Sequence, residues 1–227
     1  MGLPLLNGGE RRVKREEEKV TKRAKTEAVE VIEGWRRVEV LIEGLTPTLM
    51  HNGELANPLN AFAKQLAENN KGRNKTDAQY EKISEIEFRG GIYLNSSLVP
   101  CWPGQNIERM IKSAAVIDRK GKDIDRALQV RDDPPLIYEG PKDVDGLWAD
   151  KRFVFTNLVT NPSTKGHLPR TRPRFDVWSL RFVVEYKPKF INLDALRRFI
   201  EYAGEAIGLS DWRPKYGQFV IREFNEV

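Results

Sequence analysis

The stretch Trp178–Tyr186, WSLRFVVEY, sets Trp178, Leu180, Phe182, Val184 and Tyr186 on one side of an extended chain and Ser179, Arg181, Val183 and Glu185 on the other. A period of two is that of a strand with one face against a core. Toward the C-terminus, NLDALRRFIEYAGEAIG (192–208) spaces Leu196, Ile200, Ala203 and Ile207 along one stripe of a helix. Asn192 is placed to cap its start and Gly208 to stop it. A closing strand follows in YGQFVIREF, 216–224. Toward the N-terminus, Val38, Val40 and Ile42 alternate with Arg37, Glu39 and Glu43 and predict the first strand. After the break at Pro103 and Gly104, Ile107, Met110, Ile111 and Ala114 recur at helical spacing. Short strands fit LIYEG (136–140) and FVFTNLV (153–159). Strand, helix, one or two strands, helix, strand is the order of the split βαβ fold. That predicts an α+β protein whose ferredoxin-like, RRM-like antiparallel sheet carries two helices on one face and leaves the other free for a ligand.

Two segments interrupt that plan, at about 54–90 and about 119–175. The first predicts two helices, one carrying Leu59, Phe62, Ala63 and Leu66, the other opened by a capping box of Thr76 and Gln79. It closes at Gly90, Gly91 and a short strand, Ile92–Leu94. The second ends in a loop, GHLPRTRPRFDVW (166–178), with arginines at 170, 172 and 174. Residues 1–30 are highly charged in both signs with few apolar positions and predict a tail or arm outside a single domain, 31–227.

The net charge of +5 suits an acidic partner, and its distribution is more telling. No acidic residue lies between Asp150 and Asp176, where Lys151, Arg152, Lys165, Arg170, Arg172 and Arg174 all fall. A single cysteine, Cys101, excludes an internal disulfide and predicts a small buried apolar residue. With only His51 and His167 beside it, a His/Cys zinc site is short of ligands, so neither metal nor cofactor is expected. No apolar run has the length of a membrane span and no signal pattern opens the chain, which predicts a cytoplasmic protein with no membrane partner.

Three separated segments, WPGQNIERMIKSAA (102–115), RTRPRFDVWSLRFVVEY (170–186) and GEAIGLSDWRPKYGQFVI (204–221), resemble in order the motifs of the RAMP (repeat-associated mysterious protein) superfamily of CRISPR effector complexes. LIEGLTPTLMHNG (41–53) takes the place of the family's first strand and following loop. The likeness is greatest to the repeating, Cas7-like backbone subunit. It implies a palm built on the ferredoxin-like sheet, a thumb-like hairpin or loop from about 151–174, and a basic groove that follows a guide RNA. The implied partners are single-stranded RNA, copies of the same chain and other effector subunits. The implied RNA contacts are Lys165, His167, Arg170, Arg172 and Arg174 on the thumb, and Gln105, Asn106, Arg109 and Lys112 at the helix. His51 and Asn52 after the first strand, and Trp212, Arg213 and Lys215 before the last, complete them. Gln105 and Asn106 stand where the family has serines, and Asp211, Trp212 and Arg213 where it is richer in glycine. The aspartate with which some backbone subunits cut target RNA has no counterpart in LTPTLMHNGELAN (45–57).

The residues leave three chemistries open. The leading one is non-catalytic binding of RNA, with guanidinium forks on phosphates and Trp212 and Tyr216 available to stack on bases. A second is a RAMP-type endoribonuclease that uses His51 as an acid–base group on a 2′-hydroxyl, given a Lys or Tyr partner. A third is a stand-alone phage or mobile-element protein that binds or assembles on single-stranded nucleic acid, DNA included.

Overall fold

Alternation in the first strand does what the pattern requires: Val38, Val40 and Ile42 are fully buried. In a computed structural model that describes residues 34–72, 75–160 and 165–227, Arg36–Val227 form one compact unit. The charged segment 1–30 lies outside the described residues. The strands are β1 (Arg36–Gly44), β2 (Thr48–Leu49), β3 (Leu128–Gln129), β4 (Leu136–Ile137), β5 (Val154–Thr160), β6 (His167–Phe175), β7 (Ser179–Tyr186) and β8 (Phe219–Glu226). The helices are α1 (Ala61–Asn69), α2 (Asp77–Gly91), α3 (Gly104–Ala115), α4 (Gly121–Ala127), α5 (Val144–Ala149) and α6 (Leu193–Tyr202).

The main sheet runs β3–β7–β1–β8, with β4 also on β7, and neighbours are antiparallel throughout. Read along the chain as β1, α3, β3 with β4, β7, α6, β8, this is the split βαβ order expected of the sequence. Trp178, Leu180, Phe182, Val184 and Tyr186 are all buried, as are Ile107, Met110, Ile111 and Ala114 of α3 and Leu196 and Ile200 of α6. Burial of each large apolar side chain contributes about 1.5–3 kcal/mol, so this sandwich of sheet and two helices dominates the folding free energy. Asn192 caps α6 by accepting from the Ala195 N–H at 2.7 Å, and Gly208 sits at φ +82 beyond it, where a side chain would be strained. Thr76 and Gln79 form the reciprocal capping box on α2.

A second sheet, β2–β6–β5, is built by the insertions. Here the structure departs from the sequence reading. Arg170, Arg172 and Arg174 lie within β6, not in a loop before a strand. Two prolines obscured this strand. Thr171 turns its N–H away from β5 to Glu87, and the Pro173 carbonyl turns to the Met50 N–H. Pro169 and Pro173 share that outward phase, so their missing N–H groups cost the β5–β6 ladder nothing. Ile92–Leu94 forms no strand: Leu94 makes only an isolated bridge to Pro100. Leu59 is 78% exposed and lies outside α1, because Asn60 caps that helix by accepting from the Phe62 and Ala63 N–H groups.

Candidate nucleic-acid interface

The open face of the main sheet is the first place to look for a bound strand, and its chemistry is wrong for one. Arg181 bridges Glu39 and Glu223 at 2.7 and 2.8 Å. Arg131 pairs with Glu185 at 2.6 Å and Arg222 with Glu43 at 2.7 Å. The outward positions of β1 and β7, from Arg37 to Glu43 and Ser179 to Glu185, carry no aromatic ring. A face that neutralises itself and offers no stacking surface does not hold single strands in the RRM manner. The rim does better.

At the rim, four segments enclose a cleft of about 170 Å³ lined by His51, Tyr93, Trp102, Asn106, Arg109, Leu209, Ser210, Asp211 and Arg213. One wall is the chain after β2, stitched to the loop before β8. Thr48 Oγ1 donates to the Leu209 carbonyl at 2.7 Å, Ser210 Oγ accepts from the Leu49 N–H at 2.8 Å, and the Asp211 N–H donates to the Leu49 carbonyl at 2.8 Å. The opposite wall is the first turn of α3. Gly104 is required there, since a Cβ would stand 2.2 Å from the Val130 carbonyl oxygen. The Tyr93 hydroxyl donates to the His51 carbonyl at 2.8 Å, and its ring lies 5.5 Å from that of Trp102.

Of the sequence-predicted contacts, His51, Asn106, Arg109 and Arg213 meet in this cleft. Arg109 and Arg213 make no ion pair among the described residues, so the cleft carries uncompensated positive charge. The start of α3 is less open to an anion than its sequence implies, because Asp133 Oδ1 already accepts from the Gly104 N–H at 2.9 Å. Gln105 is exposed at the same turn. Lys112 is elsewhere on α3 and pairs with Asp125 at 2.7 Å. Asn52 is a cap, accepting from the Glu54 N–H at 3.0 Å.

The arginines of β6 are not the free forks that a carboxylate-poor segment implies. Glu87 of α2, only 3% exposed, pairs with Arg170. Asp211 pairs with Arg172 at 2.9 Å, leaving that side chain 9% exposed. Arg174 pairs with Asp176 and lies over the Phe155 ring, 5.3 Å from its centroid. Each guanidinium has five donors, and Arg170 and Arg174, with 38% and 31% of their side chains exposed, keep some facing water. Lys165 and His167 are exposed on the outer part of the β5–β6 hairpin.

Trp212 is half-buried, with its ring edge-on to Phe155 at 5.9 Å and 6.2 Å from Tyr216, which itself lies 5.9 Å from Phe155. Lys215 reaches toward Tyr216, its Nζ 5.7 Å from the ring centroid. Trp212 thus anchors its loop to the hairpin while one part of the ring stays exposed. Tyr93, Trp102, Ser210 and Phe155 were not singled out from the sequence. Trp102 abuts the Pro-Gly break and Phe155 alternates within β5, which are the only local signals they carry.

Burial holds the His51 imidazole below its usual pKa near 6.5, with Arg172 and Arg170 adding to the effect and Asp211 and Glu87 opposing it. Its Nδ1 is buried with no hydrogen-bond partner, and so is Nε1 of Trp102, which is 3% exposed. Cys101 is 1% exposed and burial pushes its thiol up to about 12. Among the described residues there is no cluster of three or more potential metal-ligating side chains, and no helix is long and apolar enough to cross a membrane.

No protein-family profile and no curated protein matches the sequence. Among solved structures, a chain of the type III-B Cmr-beta bound to cognate target RNA is a neighbour, with a TM-score of 0.43 and 14% identity over 98% of this chain and 68% of that one.

Proposed function

We propose that the chain binds single-stranded RNA without cutting it, as a backbone subunit that lines up in copies along a guide RNA within a CRISPR-type ribonucleoprotein. One observation carries the reading. Segments that resemble RAMP motifs and lie far apart in sequence converge on one cleft, and the guanidiniums they bring, Arg109 and Arg213, have no carboxylate partner there. Phosphate oxygens supply the missing charge. Trp212, between Asp211 and Arg213 in the same loop, is half-buried and offers its exposed part for base stacking. Binding without cleavage is supported by the state of His51, whose Nδ1 has no group to orient it as a base.

The test is anisotropy titration of a labelled single-stranded RNA at several salt concentrations. Arg109→Ala with Arg213→Ala should weaken binding on the order of tenfold at low salt and make the log–log salt slope shallower by about 1.4, as expected for two lost contacts to a single strand. Unchanged affinity and slope in the folded double variant would remove the cleft from the interface. Sedimentation with RNAs of increasing length then reads assembly: copies should add stepwise, and one copy at every length would leave a stand-alone binder.

A further inference from the structure

The first half of α2 packs on little. Asp77 to Lys82 are exposed throughout, α2 buries nothing before Ile83, and α1 beside it has no buried residue. Asp77, Tyr80 and Glu81 fall at i, i+3 and i+4, so they share one face of that helix. Tyr80 is 43% exposed, and neither carboxylate has an ion pair among the described residues. Lys82 does not neutralise them, since it pairs with Glu85 at 3.0 Å. The result is an acidic stripe around an aromatic ring. A cavity of the opposite character, about 450 Å³, forms where the chain after α3 meets the start of α6. Phe190, Ile191 and Phe199 give it apolar walls, and Lys120, Arg198 and Asp118 line it with charge. Phe190 is exposed, as are Val116 and Ile117 just before Asp118. Arg198 stands 3.8 Å from Asp118, past hydrogen-bond reach, and keeps 63% of its side chain exposed. Over the two segments that build the cavity, 116–126 and 187–198, eight Lys and Arg stand against four Asp. The RNA cleft takes the other end of α3, about 18 Å away along its 12 residues.

We propose that the α2 stripe of one copy docks in this cavity of the next, with Tyr80 entering against Phe190 and Phe199 while Asp77 and Glu81 face Lys120 and Arg198. The proposal rests on the reading that copies line up along one RNA. Stripe and cavity are different surfaces of the same chain, so the contact is head-to-tail and can repeat along a strand. A contact built on one helical stripe is smaller than the roughly 800 Å² per partner of a stable interface. It therefore acts between copies that a shared RNA already holds close.

The experiment titrates the full chain onto two labelled single-stranded RNAs, one that holds a single copy and one long enough for several. Asp77→Lys/Glu81→Lys reverses the stripe, Lys120→Glu/Arg198→Glu reverses the cavity, and a third variant carries all four changes. The native chain should fill the long RNA cooperatively. Each reversal should lower that cooperativity about tenfold. Single-copy binding should stay nearly unchanged, because none of the four residues lines the RNA cleft, and it reports that each variant is folded. The variant with all four changes should recover the cooperativity, since both charges are exchanged. Tyr80→Ala, which keeps the charges, should lower it as well. Non-cooperative filling by the native chain overturns the proposal. So does cooperativity that survives both reversals, or a combined variant that recovers none. If the native chain binds neither RNA, the RNA reading fails and this inference falls with it.

Discussion

Glu87→Ala should destabilise the chain through one identifiable group. The Glu87 carboxylate is 3% exposed, and it accepts from Arg170 and, at 2.8 Å, from the Thr171 N–H. Thr171 is fully buried, so its N–H, stranded without an acceptor or water, costs roughly 1–3 kcal/mol. Arg170 keeps 38% of its side chain exposed and can turn to water, so its lost pair is screened and adds no more than about 1 kcal/mol. The expected total is about 1–4 kcal/mol, and Glu87→Gln, which keeps an acceptor for Thr171, should cost about half as much or less. With a urea m-value near 2 kcal/mol/M, Glu87→Ala lowers the unfolding midpoint by about 0.5–2 M. Urea unfolding followed by tryptophan fluorescence and circular dichroism reads this directly. A midpoint shift below about 0.2 M at unchanged m would refute the claim that Glu87 satisfies a buried backbone group. By the same geometry, replacing Arg170, Arg172 and Arg174 together with Ala should destabilise the domain, because Glu87 and Asp211 lose their counterions.

His51 has a folded pKa below its unfolded value near 6.5. The fold therefore binds fewer protons, and this group's contribution is fully present above pH 6.5 and is lost as pH falls toward its folded value. Stability should drop as pH is lowered through the unfolded pKa near 6.5, and His51→Gln should flatten that slope in urea titrations. Cys101, with its thiol pushed up to about 12, should resist a thiol-reactive dye in the native chain at pH 8 and react at once in denaturant; native reactivity would contradict its burial. Gly104→Ala places a Cβ 2.2 Å from the Val130 carbonyl oxygen. It should cost about 1–3 kcal/mol and, on the proposed function, weaken RNA binding as the first turn of α3 shifts, and a fully stable variant would show that this contact relaxes freely.

The strands and helices of the palm, their inward faces and the caps at Asn192 and Thr76 were legible in the sequence, because each depends on side chains a few positions apart and on a fixed local period. β6 was misread as a loop for the same reason: Pro169 and Pro173 are strand breakers by local rule, and only the outward phase of their backbone in the folded hairpin makes them harmless. The segment Asp150–Asp176 could declare its own lack of carboxylates but not which ones would be folded onto it. Glu87 reaches Arg170 across 83 residues and Asp211 reaches Arg172 across 39. Local spacing thus decided the elements and their buried faces. Which cations stay unpaired, and therefore available to an anion, was decided only by tertiary contacts, since charge neutralisation acts through space and is blind to distance along the chain.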